Sequence, residues 1–373
     1  MQAETAASPF FTDFERLSSD VPSWLDDLRR SGMERFLELG FPTTRLEDWK
    51  FTNLAPLTRQ TFQHTPTRVP TDWSRPRIEN HLARYADFRN HAFIALNTAF
   101  LEGVNLVDVS RGGEIVEIPH HANRGISHPR NLIVVEEGVR ASIVETYTGE
   151  GPHLTNAVTE IVCGENSIVD HYKLQLDSPE AFHISTIQVQ QARNSVFTSR
   201  SLAFGAALAR TEINAVLETG AECTLNGLYL VDGSRHVDTR TTIDHAQPHA
   251  NSHELYKGIL SGNSSAVFNG KIIVRKDAQK TDAKQTNKNL VLSENATINT
   301  KPQLEIFADD VRCTHGATVG QLDADSIFYL QSRGIGRADA RTMLIEAFAR
   351  EVIDSIKIDS LRERALKLLK ANL

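Results

Sequence analysis

Cysteine is scarce. Cys163, Cys223 and Cys313 are the only three in 373 residues and are spread over about 150 of them, an odd set that argues against a disulfide framework and suits a reducing compartment. No CxxC pair occurs, so a self-contained zinc or iron–sulfur site is not expected. Long apolar runs are missing too, and no stretch approaches the roughly 20 residues of a membrane-spanning helix. The start, MQAETAASPFFTDFERL, has neither the basic and apolar run of a signal peptide nor the Arg-rich, acid-poor texture of a transit peptide. The expected location is cytoplasmic, away from membranes. Positive charge is not in excess: the net charge is -7 and the pI about 6.1, which leaves no general footprint for nucleic acid.

Nucleotide and hydrolase motifs are absent as well. There is no GxxxxGK[ST], and Lys271 after Gly270 is followed by Ile272, which has no hydroxyl for magnesium. Gly334-Ile335-Gly336 lacks the third glycine and the βαβ setting of a dinucleotide loop. Neither GxSxG nor HExxH occurs.

What is present is a change of texture along the chain. Phe10, Phe14 and Leu17, then Trp24, Leu25 and Leu28, then Met33, Phe36 and Leu37 recur at helical spacing, with Pro22 as a break. Trp49 and Phe51 are expected to dock a loop on the core. Pro56, Pro66, Pro70 and Pro76 give linker composition, and the main domain boundary is placed there. From about Phe93 onward, short apolar runs punctuated by Gly, Asn and Asp read as strands and turns.

These turns recur. Matching segments begin at Val109, Val135, Val162, Val189, Leu217, Ile259, Leu292 and Val319, a unit of about 27 residues with one 42-residue step between Leu217 and Ile259 that reads as an insertion. A unit this short without an internal helix fits a coil of a parallel β-helix, with a large β-sandwich as the competing fold. Helical segments at the two ends would cap it. After Gly336, Met343, Leu344, Ala347, Phe348, Val352 and Ile356 form a helical stripe, and Asp359-Ser360 can cap a second helix lined by Leu361, Ala365, Leu368 and Leu369.

Three clusters bear on chemistry. In KPQLEIFADDVRCTHGATVG, from Lys301, Cys313 and His315 are two apart, so on an extended strand both face one way. A thiolate and an imidazole suit zinc, copper or iron; the plainer reading is a buried thiol and a hydrogen-bonded imidazole. His236, Asp238, Asp244, His245, His249 and His253 crowd the apparent insertion, but Pro248 spoils a helical alignment, and a lateral loop or strand pair is expected. His120, His121 and His128 read as turn residues. Lys271, Arg275, Lys276, Lys280, Lys284 and Lys288 form a basic run that reads as a solvated face.

The run from His253 to Phe348 resembles the SufB/SufD family of iron–sulfur cluster assembly proteins, through YKGIL at Tyr256, FNGKIIV at Phe268, TDAKQTNKNLVLS at Thr281, the Lys301 segment, and FYLQSRGI at Phe328 followed by ARTMLIEAF. RLEDWKFTNL at Arg45 resembles the SufD branch. The resemblance implies a mainly β protein: a right-handed parallel β-helix core, 78–333, between an N-terminal helical domain and linker, 1–77, and a C-terminal helical domain, 334–373. It implies a non-catalytic scaffold that pairs through its β-helix with a SufB-like paralogue. A SufC-like ABC-type ATPase would bind the C-terminal helices, at Arg337, Arg341, Leu344 and Phe348, and would hydrolyse the ATP. The isolated chain would hold no cofactor. At the subunit interface His315, with Cys313 beside it, would help hold a nascent iron–sulfur cluster shared with SufB. Two alternatives stay open: a β-helix carbohydrate-active enzyme using an acid pair such as Asp309 and Asp310, and a stand-alone homodimer joining two copies of Cys313 and His315.

Overall fold

The computed structural model describes residues 10–17, 21–66 and 69–372. Helices α1 (Ser23–Leu39), α2 (Ala55–Thr58), α3 (Pro76–His81) and α4 (Ala92–Ala99) precede the strands, and α5 (Ala324–Ser332), α6 (Arg337–Ile353) and α7 (Asp359–Ala371) follow them. Between these lies a parallel β-helix of two sheets. The first runs β1 (Asn105–Val109), β4 (Arg130–Val135), β6 (His153–Cys163), β8 (Phe182–Gln191), β10 (Leu208–Leu217), β12 (His236–His245), β14 (Ser265–Val274) and β16 (Thr297–Ile306), with the short β3 (Gly125–Ser127) also on β6. The second runs β2 (Ile115–Ala122), β5 (Arg140–Gly149), β7 (Ile168–Leu176), β9 (Val196–Ala203), β11 (Glu222–Val231), β13 (Asn251–Leu260), β15 (Asp282–Val291) and β17 (Arg312–Gly320). Each coil gives one strand to each sheet, and the sandwich alternative is set aside.

The coils stack in register. One column of the first sheet reads Val109, Val135, Cys163, Gln191, Leu217, His245, Val274 and Ile306, so a coil takes 26 to 32 residues. This corrects the expected insertion. Leu217 ends a strand of the first sheet, whereas Ile259 lies near the end of β13 in the second, so the 42-residue step is one and a half ordinary coils. The two turns of a coil look alike in sequence, so a repeat read from turns alone can pass from one to the other.

The turn from the first sheet to the second carries a left-handed residue in six successive coils: Gly138, Asn166, Asn194, Gly220, His249 and Lys280, with φ between 54° and 69°. Glycine and asparagine tolerate this conformation best. Each N–H there donates to the next coil, as in Asn166 N to Arg193 O at 3.0 Å and His249 N to Gln279 O at 2.9 Å. His249 is therefore a turn residue of an ordinary coil.

Inside the coils, large residues sit against small ones. Gly227 pairs with Tyr256 and Tyr229 with Gly258 across β11 and β13, so each ring lies over a glycine. Outside, the helices cover the faces of the sheets. Leu25, Leu96 and Phe93 pack with Leu132, Val134, Phe182 and Ile184 on the first sheet. Ile345, Ala349, Val352, Ile353, Leu361, Ala365 and Leu369 pack with Leu174, Leu202, Leu228, Leu230 and Ile259 on the second. Covered on both faces, the middle strands are buried almost throughout, as in β4 and β6. The helices thus lie along the sides and do not cap the last coil: β16 and β17 contain no fully buried residue.

Several local expectations change. The segment from Phe93 is a helix, α4, buried on every side; an all-apolar run does not by itself distinguish helix from strand. Trp49 docks as expected, stacked on Phe93 with the Arg210 guanidinium 3.7 Å from its ring centre, but Phe51 is exposed. The proline-rich stretch includes α2 and α3. On α6 the stripe facing the sheet is Ala340, Ile345, Ala349, Val352 and Ile353, which leaves Met343 and Ala347 exposed. Residue Ile358, not Asp359, is the cap position of α7; Asp359 lies in its first turn and pairs with Arg362. Of the first expected helix, Ser18 to Asp20 fall outside the described residues.

A Cβ on Gly227 would stand 2.1 Å from a Tyr256 ring carbon. Gly227→Ala is expected to lower unfolding stability by about 2 kcal/mol through overpacking, measured by urea denaturation.

Candidate functional site

The open end of the β-helix is formed by its last coil. Among the strands of the described residues, β17 pairs with β15 alone and β16 with β14 alone. Along β17, Cys313 and His315 are in register with Ala283 and Gln285, whose side chains are buried in the lumen. Cys313 packs against the cluster of Ile272, Val274, Ala278, Ala283 and Ala308 and is half-buried. Strand alternation puts His315 on the same inward face, about 6.6 Å further along. With no coil beyond it, its imidazole is exposed. The two residues thus belong to the last strand itself and look out of the open end. Around them Ile306, Phe307 and Val319 are 40, 64 and 54% exposed, an apolar rim beside two unpaired strand edges.

Burial, and then the Asp282 carboxylate, push the Cys313 thiol above its ordinary range. A metal would have to displace its proton. Among the described residues no group of three His, Cys, Asp or Glu is placed to hold a metal. Cys313 and His315 are two donors, and a complete set requires donors from outside the coil.

Deeper in the lumen lies a polar cluster that the sequence reading missed. His171 approaches Glu145 at 3.4 Å, His153 and His183 flank Asp177 at 3.0 and 3.1 Å, and Lys173 Nζ lies 2.9 Å from His183 Nε2. All six are buried. Burial raises Glu145, but hydrogen bonding and charge from His171 outweigh it and bring it down to about 2. Asp177 is held well below the carboxylate range, since His183, His153 and Gln175 overcome its burial. Burial lowers Lys173 to about 8 despite both carboxylates, and burial together with Lys173 lowers His183 to about 4. The signal was present in DHYKLQLD, where polar residues alternate with Tyr172, Leu174 and Leu176. Alternation normally places the polar side in water; here the apolar side packs toward the C-terminal helices and the polar side fills the lumen.

One buried acid is different. Among the described residues Glu254 has no cationic partner: its Oε2 accepts from Gln285 Nε2 at 3.0 Å, and its Oε1 has no hydrogen-bond partner. Burial pushes it up to about 7, with only Thr241 and Gln285 opposing.

The remaining expected sites disperse. His236 bonds Thr52 and Ser265, His245 bonds Ser252 in the lumen, His249 turns the chain and His253 is exposed, so this histidine group makes no common site. His120 lies on β2, stacked on Tyr147, and is a strand residue, whereas His128 falls in the connection between β3 and β4, where it is buried against Phe100. Five of the six residues of the basic run are matched by acids: Lys271 with Glu305, Arg275 with Asp244, Lys280 with Asp310, Lys284 with Asp282 and Lys288 with Glu351. Arg337 is exposed, and Arg341 lines a cleft of about 300 Å³ between α6 and the second sheet. Leu344 is half-buried; Phe348 packs toward the sheet, with Lys257 Nζ 4.3 Å from its ring centre. No residue of α5 is buried, and Phe328 and Tyr329 are 72 and 57% exposed. No helix among the described residues is long and apolar enough to cross a membrane.

Residues 118–348 match the family model described as SUF system FeS cluster assembly, SufBD core domain. The chain is 37% identical over 308 residues to an iron–sulfur cluster assembly SufBD family protein of Synechocystis, covering 78% of this chain and 68% of that protein. It is 30% identical to the iron–sulfur cluster assembly protein SufD of Escherichia coli over 90% of each. It is also 35% identical to the chloroplastic protein ABCI7 of Arabidopsis thaliana, over 66% of this chain and 53% of that one.

Glu254 titrates near 7 when folded against about 4.5 unfolded. Its folded form holds the proton more tightly, so the stability it contributes is complete below pH 4.5 and is lost as the pH rises toward 7. Glu254→Gln is therefore expected to gain about 3 kcal/mol over the wild type between pH 4 and pH 8, read from urea midpoints at the two values.

Proposed function

Because this chain belongs to the SufBD family of iron–sulfur cluster assembly proteins, we propose that it is a non-catalytic scaffold whose open last coil is half of a cluster-building site. The observation that carries this reading is the pair Cys313 and His315 at the uncapped end, two donors with no third among the described residues. An iron–sulfur cluster forming there is cargo. Its remaining ligands come from a SufB-like paralogue that sets its own edge against β16 and β17. Parallel strands offer unpaired N–H and C=O groups along both edges, and the exposed Ile306, Phe307 and Val319 supply the apolar area that such a junction buries. His315 is the principal donor on this side. Cys313, half-buried with a raised thiol, contributes once a metal draws off its proton.

A SufC-like ATPase docks on the C-terminal helical domain, 334–373, with α5 beside it. The supporting features are the bare Phe328 and Tyr329, the exposed Met343 and the outward Arg337. Nucleotide-driven movement of that partner reaches the open end through α6, which is tied to the β-helix by Lys257 bonding to the Phe348 carbonyl at 2.7 Å, and through the turn after it, where Arg200 bonds to Ser355 at 3.2 Å. Family membership takes the place of the carbohydrate-enzyme alternative. Asp310 already has partners, accepting from Lys280 and donating its N–H to Gln279 Oε1 at 2.9 Å. Without a paralogue, two copies of this chain would meet through the same edge.

With the complete complex, His315→Ala is expected to cut the yield of reconstituted cluster about tenfold or more, followed by the visible absorption of the cluster. Undiminished yield removes His315 from the site. Charge reversal at Arg337 and Arg341 is expected to weaken capture of the ATPase about tenfold in a titrated pull-down; unchanged capture counts against docking there.

A further inference from the structure

The inward face of the second sheet carries one column that ends at the open edge. Leu225 on β11, Glu254 on β13, Gln285 on β15 and His315 on β17 are successive register partners. Glu254 and Gln285 are buried, and they are joined by the 3.0 Å hydrogen bond from the Gln285 amide. Space for that amide exists because the facing position is Gly270, where a Cβ would stand 1.5 Å from Gln285 Nε2. Donation to Glu254 leaves Gln285 Oε1 as a buried acceptor without a donor among the described residues, one coil behind an imidazole that carries an N–H.

The charge balance of the lumen singles out the same place. Glu145 and Asp177 each face histidine, and elsewhere in the fold Glu160 faces Arg130 and Asp238 faces Arg210. The titratable groups that face Glu254 are Cys223 on β11 and Tyr256 on its own strand, both of which burial keeps neutral; Thr241 on β12 and Gln285 on β15 carry no charge. A buried carboxyl with no cation beside it is either protonated or awaits one. The open end, two coils or about 10 Å away, is where a cation would arrive.

We propose that Glu254 and Gln285 form an internal brace behind His315, orienting its imidazole for a metal cation at the open end and supplying the negative charge that balances it. On loading, Glu254 gives its proton to solvent and remains as the carboxylate, while Gln285 holds both neighbours. Glu254 and Gln285 are positioning residues and do not touch the metal. The inference rests on the reading of His315 as a ligand, and the test separates the two.

Cobalt(II) is titrated into the full chain held in complex with its SufB-like paralogue, which completes the ligand set, anaerobically, at pH 6 and pH 8, and binding is read from the visible absorption of the bound ion. The wild type is expected to bind about fivefold more tightly than Glu254→Gln at pH 8, where the carboxylate is ionised, and equally at pH 6. Gln285→Ala is expected to weaken binding at both values, since it removes orientation as well as charge coupling. A purely structural role would not make the Glu254→Gln defect depend on pH. Glu254→Met provides the same comparison if the amide variant does not fold. Equal affinity of wild type and the Glu254 variant at both pH values, with binding lost in His315→Ala, overturns the brace alone. Unchanged binding in His315→Ala, or no binding by the wild type, overturns the ligand reading beneath it.

Discussion

In a parallel β-helix every inward side chain rests on one from the coil before and is covered by one from the coil after. That constraint governs the packing, the chemistry and the end of this molecule. Tyr229 and Tyr256 fit because Gly258 and Gly227 are their register partners, and Gln285 fits because Gly270 faces it. A shift of two residues would place Tyr229 on Tyr256, and a shift of one would turn each inward face outward. The ladder of left-handed turns from Gly138 to Lys280, each hydrogen-bonded to the next coil, holds the stack against such a shift. Where the stack stops, the constraint fails. The inward residues of the last coil have nothing over them, and Cys313 and His315 stand among these.

The same stacking tolerates buried charge only in matched sets. Glu145, Asp177 and their histidines are removed from water in neighbouring coils, where the cost of desolvation is offset by partners one strand away. Glu254 departs from that pattern, and it does so in the column that ends at His315. The helices add a second division. They cover the outer faces of the middle coils and leave the last one bare, so stability is concentrated in the middle of the β-helix and exposed backbone edges at its end.

Much of the architecture was legible along the chain. Turn signals at intervals of about 27 residues revealed the coil, because each coil must turn at the same places to keep its strands in register. The phase was harder to read. A coil has two similar turns, so Leu217 and Ile259 are alike in local sequence although they belong to different sheets, and the ordinary strands between them resemble an insertion. The helical stripe of α6 was displaced for a related reason: Met343 and Ala347 have apolar side chains, but only contact with Leu228, Leu230 and Ile259 decides which face is inside.

The sequence by itself determined the repeat, the helical ends, the family and the closeness of Cys313 and His315, since all of these depend on residues near one another in the chain or on recognisable words. Only the tertiary structure decided which side of each strand is the lumen, that polar residues of β7 point inward, that His236 to His253 scatter over different faces, and that Glu254, Gln285 and His315 form one column. The physical reason is that neighbours across coils lie about 30 residues apart in the chain. Their adjacency is set by hydrogen-bonded register between strands, which no local pattern records.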